Sequence, residues 1–181
     1  MKLFFIILLI IPVCIKAETG KKGCHRLTIN DHRPTINGRR STINGLNRPA
    51  FYKAMQEDDK ILVNEQLTLL KSLPEEEGKA FLGAMLMKKS GLGGSPLSKL
   101  RLFNEGQKML ETAIKQDSAN AEYRFLRLMI QEHAPGILGY KNDMEKDSEY
   151  IRKSYKTLPD DVQQAITGYS KKSKVLKLGV S

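Results

Sequence analysis

The chain has 181 residues, a formal charge of +10 from 30 Lys and Arg against 20 Asp and Glu, and two cysteines. That length suits one domain with its own hydrophobic core. Two cysteines, one of them at position 14 beside an N-terminal apolar run, exclude a disulfide framework, so stability must come from packing.

The first residues, MKLFFIILLIIPVCIKA, carry Lys2, an unbroken apolar run from Leu3 to Ile11, and smaller residues toward Ala17. This is the pattern of a secretory signal peptide cleaved after Ala17, and it predicts an exported protein, periplasmic or secreted. The alternative is a lipoprotein signal acylated at Cys14. The run is shorter than the ~20 apolar residues of a spanning helix, and no later segment matches it, so the mature chain is expected to have no transmembrane helix. Removing residues 1–17 takes away Lys2, Lys16 and no acid, and the charge falls to +8.

Residues 18–48 contain a heptapeptide repeat, with Thr28-Ile29-Asn30, Thr35-Ile36-Asn37 and Thr42-Ile43-Asn44 in register. One large apolar residue in seven buries neither a coiled-coil seam nor a strand face, and the segment reads as a disordered basic linker. Cys24 in that linker is expected to be a free thiol. Cys24, His25 and His32 could in principle gather a metal, but a segment without a core does not hold them in a preorganised shell. No metal and no cofactor are predicted.

Charge is unevenly distributed. Residues 18–53 carry +6, residues 54–165 carry −2 and residues 166–181 carry +4. Basic tails on an exported chain point to peripheral contact with an anionic envelope surface. Nucleic acid is not an expected partner, because no aromatic side chain is interleaved with the linker arginines to stack on bases.

From residue 49 the pattern turns helical. Pro49 suits a first turn, and Phe51, Met55, Ile61, Leu62, Leu69 and Leu70 predict one helix or two short ones split near Asp58 and Asp59. Pro74 opens the next helix, with Glu75, Glu76 and Glu77 at its start and Lys88 and Lys89 near its end, matching the helix dipole. Gly91, Gly93 and Gly94 break it. Ser95 and Pro96 begin a helix whose apolar stripe is Leu100, Phe103, Leu110 and Ile114. Asp117 and Ser118 interrupt that stripe, and Ser118 is the expected N-cap of a helix running to about His133, stopped by Pro135 and Gly136. Helices resume around Met144, Ile151 and Tyr155, and again after Pro159 through Val162, Ile166 and Tyr169. The predicted domain covers residues 49–172, with a basic tail at 173–181.

The segment LETAIKQDSANAEYRFLRL, Leu110 to Leu128, resembles the junction between two tetratricopeptide repeats. Ala113 and Ile114 match the end of one unit, Asp117 the turn, and Asn120, Ala121 and Glu122 the opening of the next. Ser118 stands where that family has Pro, Arg124 where it has a large aromatic, and Leu128 where it has Gly. Phe51 to Leu176 also looks like a group of small exported bacterial proteins of unassigned function, through the LMKK, EYRFLRL and QAI…YSKKSKVLK segments. The resemblances imply an all-α fold of six or seven antiparallel helices stacked as αα-hairpins, tetratricopeptide-like, and no particular activity.

Candidate chemistry is sparse. The turn GLGGSP lacks the preceding strand and the Gly-Lys-Ser/Thr of a P-loop, and reads as a helix connection. His133, at a helix end, is a partner for the helix dipole. Tyr140, Tyr150, Tyr155 and Tyr169 read as core-edge residues with hydroxyls in water. Arg124, Arg127 and Gln131 share one face of an otherwise apolar helix. They either contact an anionic group or partner, or lock helices together through acids such as Glu122, Glu132 or Asp147. No nucleophile–base pair has local support. The chain is therefore expected to be a non-enzymatic scaffold or protein-interaction module of the cell envelope, with a protein or peptide partner. The alternative is a binding module for an anionic small molecule, lipid or glycan.

Overall fold

The computed structural model describes residues 45–179, all within one folding unit, residues 36–181. The signal segment, the Thr-Ile-Asn repeat, Cys14, Cys24, His25 and His32 lie outside the described residues. Those that are described form seven α-helices and no strand, an all-α fold.

Local sequence chemistry accounts for most helix boundaries. Asn47 caps α1 (Arg48–Gln56) by accepting the Ala50 N–H, and Pro49 occupies the first turn. The Asp59 carboxylate accepts the N–H groups of Ile61 and Leu62 and starts α2 (Lys60–Ser72), so the apolar pattern from Phe51 to Leu70 is two helices. Pro74 precedes α3 (Glu75–Gly91), which ends with Lys88 and Lys89 in its last turn. Gly93 and Gly94 follow with φ of +144° and +104°, a turn that residues with a Cβ rarely make. Ser95 then caps α4 (Pro96–Gln116).

The next junction departs from expectation. The cap of α5 (Ala121–His133) is Asn120, whose side-chain oxygen accepts from the Glu122 and Tyr123 N–H groups. Residues 117–119 are spent on the turn, closed by the Asn120 N–H donating to the Asp117 carbonyl, so Ser118 sits too early to cap. Its carbonyl serves Arg124 instead. A 3-10 turn at Gly136–Leu138 leads to α6 (Met144–Ser154), and a second at Tyr155–Thr157 leads to α7 (Asp160–Ser170).

The helix α5 is the centre of the fold, with ten of its residues buried and Phe125, Leu126 and Leu128 fully so. Edge-to-face rings tie its neighbours to it: Phe81 and Tyr123 lie 6.1 Å apart between centroids, and Phe125 and Tyr169 lie 5.6 Å apart. The main partner of α4 is α3 and that of α5 is α6, so the Leu110–Leu128 junction joins two hairpins without being one itself. Gly83 and Gly106 set the α3–α4 approach. A Cβ on Gly83 would meet the Gly106 carbonyl oxygen at 2.6 Å and the Leu110 nitrogen at 2.8 Å.

Packing continues past residue 172. Ser173 is buried and Leu176 has no exposed surface, so the start of the expected basic tail belongs to the domain. Leu100, placed in the core stripe by periodicity, is 46% exposed. Among the described residues no helix is long and apolar enough to cross a membrane.

Candidate functional site

Three polar clusters and one open groove are the features with chemical content. The first cluster contains the arginines picked out by the sequence. Arg127 donates from Nε to Asp147 Oδ2 at 2.7 Å and from Nη2 to Asp147 Oδ1 at 2.8 Å, a bidentate pair. Its Nη1 donates to Glu111 at 3.0 Å and lies 3.5 Å from Asp143. Burial alone would lower the Arg127 pKa; the hydrogen bond and charge of Asp147, with Glu111 and Asp143 behind it, outweigh burial and raise it. Arg124 donates to the same Asp147 at 3.0 Å and twice to the Ser118 carbonyl, and stacks over the Tyr150 ring.

Two guanidiniums thus face three carboxylates, and this cluster carries a net charge of −1. It joins α4, α5 and α6. Such an environment repels an anion, and both arginines are engaged within the chain. Gln131, one turn on, is fully buried and neither end of its amide finds a partner among the described residues.

The second cluster was not legible as a site. Arg48 grips Glu122 with Nε at 2.7 Å and Nη2 at 3.0 Å, and the Tyr52 hydroxyl donates to Glu122 at 3.0 Å. Asp161 of α7 lies 3.9 Å from Arg48. Burial raises the Glu122 pKa, partly offset by Arg48, and burial with the Glu122 charge pushes the Tyr52 phenol well above its ordinary value. The partners are 74 and 70 residues apart, beyond the reach of any local spacing argument.

In the third cluster Glu132, on α5, accepts from Tyr169 and Ser173 hydroxyls and from the Lys174 N–H, each at 2.7 Å. Ser173 in turn accepts from the Leu176 N–H at 2.7 Å. One carboxylate therefore holds the C-terminal segment against α5. Glu122 and Glu132, considered as mates for Arg124 and Arg127, go to these other partners. The four C-terminal tyrosine hydroxyls are not left to water: Tyr140 donates to Glu111, Tyr150 to the Ala119 carbonyl and Tyr169 to Glu132, while Tyr155 pairs with Thr167.

The groove has a volume of about 1330 Å³. Its walls are the end of α1, the end of α3 with its turn and the start of α4, the end of α5 with the residues up to Met144, and the C-terminal segment held by Glu132. Met55, Met87, Phe103, Met129 and Met144 line it, and Leu100 and the 95% exposed Ile137 stand open at it. His133 also lines it, with its ring Nδ1 2.9 Å from the Met129 carbonyl oxygen. No sequence signal marks its lining residues as one surface, because four separate segments have to come together before it exists. Among the described residues no group of three His, Cys, Asp or Glu side chains is arranged to hold a metal.

Compared with family models, curated proteins and solved structures, the chain matches none.

Proposed function

We propose that this chain is an exported, non-enzymatic helical module of the cell envelope whose groove docks an apolar segment of a partner protein. The observation that carries the reading is the groove itself: an open channel in which Leu100 and Ile137 are exposed, with Met55, Met87 and Met129 buried behind its surface. Exposed apolar side chains in an open groove suit the docking of a helix or an extended segment, and flexible methionines beneath them can adjust to it. The volume exceeds the ~300–1,000 Å³ of ordinary small-molecule pockets. Export is supported by the signal-peptide pattern of residues 1–17.

Capture of an anionic small molecule, lipid or glycan through Arg124, Arg127 and Gln131 is the weaker reading. Both arginines already face Asp147, and Glu111 and Asp143 add negative charge beside Arg127.

Site-specific photo-crosslinking tests the proposal. A crosslinker at Leu100 or Ile137 is expected to trap a discrete partner from envelope extract. The same crosslinker at Ile61 or Leu69, exposed apolar residues of α2 outside the groove, is expected to trap none. Equal trapping at all four positions would remove the groove as the docking surface.

A further inference from the structure

The charges around the groove narrow what it can hold. Lys88 is taken by Asp58 at 2.7 Å. Glu132 is enclosed by Tyr169, Ser173 and the Lys174 N–H. Lys99, Lys141, Lys172 and Lys174 also line the groove, and none of their ammonium groups makes an ion pair among the described residues. They come from three separate segments: Lys99 from α4, Lys141 from the stretch before α6, and Lys172 and Lys174 from the C-terminal segment. Exposed Leu100 and Ile137 with unpaired cations from three segments around them are complementary to an amphipathic segment whose apolar stripe is flanked by carboxylates.

We infer that the occupant of the groove is an acidic amphipathic helix of a partner protein, its apolar face on Leu100 and Ile137 and its Glu or Asp side chains against Lys99, Lys141, Lys172 and Lys174. The inference rests on the reading of the groove as a docking surface, and names the chemistry of what docks. The lysines supply selection and on-rate, and Leu100 and Ile137 supply most of the affinity. A basic segment with the same apolar stripe would meet four like charges and be rejected.

The test uses the full chain and two fluorescent peptides of about 16 residues, long enough to hold a helix. Both carry one leucine stripe, flanked in one by Glu and in the other by Lys. Fluorescence anisotropy is expected to show the Glu peptide binding about tenfold tighter at low salt, with the gap closing as salt is added. Replacing all four lysines by Gln should erase the preference, and replacing them by Glu should reverse it, with circular dichroism reporting that each variant folds. Equal affinity for both peptides, lost together in Leu100→Asp/Ile137→Asp, would overturn the acidic occupant and leave the groove reading standing. No binding of either peptide, or binding unchanged in Leu100→Asp/Ile137→Asp, would overturn both. Lysine-dependent binding to phosphatidylglycerol vesicles without binding of the Glu peptide would overturn the proposal in favour of a membrane surface.

Discussion

Arg127 holds Asp147 with two parallel hydrogen bonds of 2.7 and 2.8 Å, and Asp147 has no exposed surface. Burying a carboxylate that completely is costly, and two guanidiniums compensate it. Asp147→Asn is expected to cost about 3 kcal/mol, since it leaves Arg127 buried with only Glu111 and Asp143 for compensation. Arg124→Ala, at a partly exposed position, should cost about 1 kcal/mol. Chemical denaturation of the two variants checks the order; the same loss in both would mean that Arg124 bears as much of the compensation as Arg127.

Gln131 makes the opposite prediction. Its amide is fully buried without a partner among the described residues, an arrangement that costs roughly 1–3 kcal/mol. Gln131→Met preserves shape and removes the polar atoms, so it should raise the thermal midpoint. A lowered midpoint would show that the amide has a partner that matters.

Glu132 gives the fold a defined acid response. Burial alone would raise its pKa; hydrogen bonds from Ser173 and Tyr169 and from the backbone N–H groups of Lys174 and Val175 outweigh it and hold the pKa below the ordinary 4.5. A carboxylate with a depressed folded pKa contributes stability above its unfolded pKa and loses it as pH falls through the folded one. Attachment of residues 173–176 should therefore persist at neutral pH and weaken below 4.5. The Lys174 amide resonance, followed by NMR from about pH 6 to about pH 3, should move as its carboxylate acceptor is protonated. Glu132→Gln should show the shifted resonance already at neutral pH.

Gly83 and Gly106 sit where α3 and α4 come closest. Gly83→Ala puts a methyl against backbone atoms that cannot rotate away, and should destabilise by about 2 kcal/mol despite the better helix propensity of alanine. Gly168→Ala on α7, with nothing within 4 Å of the added Cβ, is the control and should be neutral or slightly stabilising.

The sequence makes the helices legible and leaves their assembly mostly hidden. Pro49, Asp59, Pro74, Ser95 and Pro135 act on the backbone within a few residues of themselves, and the helix limits follow from them. Asn120 displaces Ser118 as a cap because the turn between α4 and α5 uses three residues, which depends on how the two helices meet. Arg124 and Arg127 could be picked out as polar residues on an apolar helix, and Asp147 was among their nameable mates. The pairing of Arg48 with Glu122, the closeness of Gly83 to Gly106 and the groove all depend on contacts between distant segments. Periodicity carries no trace of them; Leu100 shows this most plainly, in register with the core stripe yet standing open at the groove.

Function and architecture separate most clearly in one comparison: capture of envelope proteins and thermal midpoint, measured together for the full chain, Arg124→Ala and Leu100→Asp/Ile137→Asp. The account predicts that Arg124→Ala melts lower but captures the same partner, whereas Leu100→Asp/Ile137→Asp keeps its midpoint and loses the partner. Loss of capture in Arg124→Ala, with capture intact in the groove variant, would contradict it and return the binding site to the arginine face.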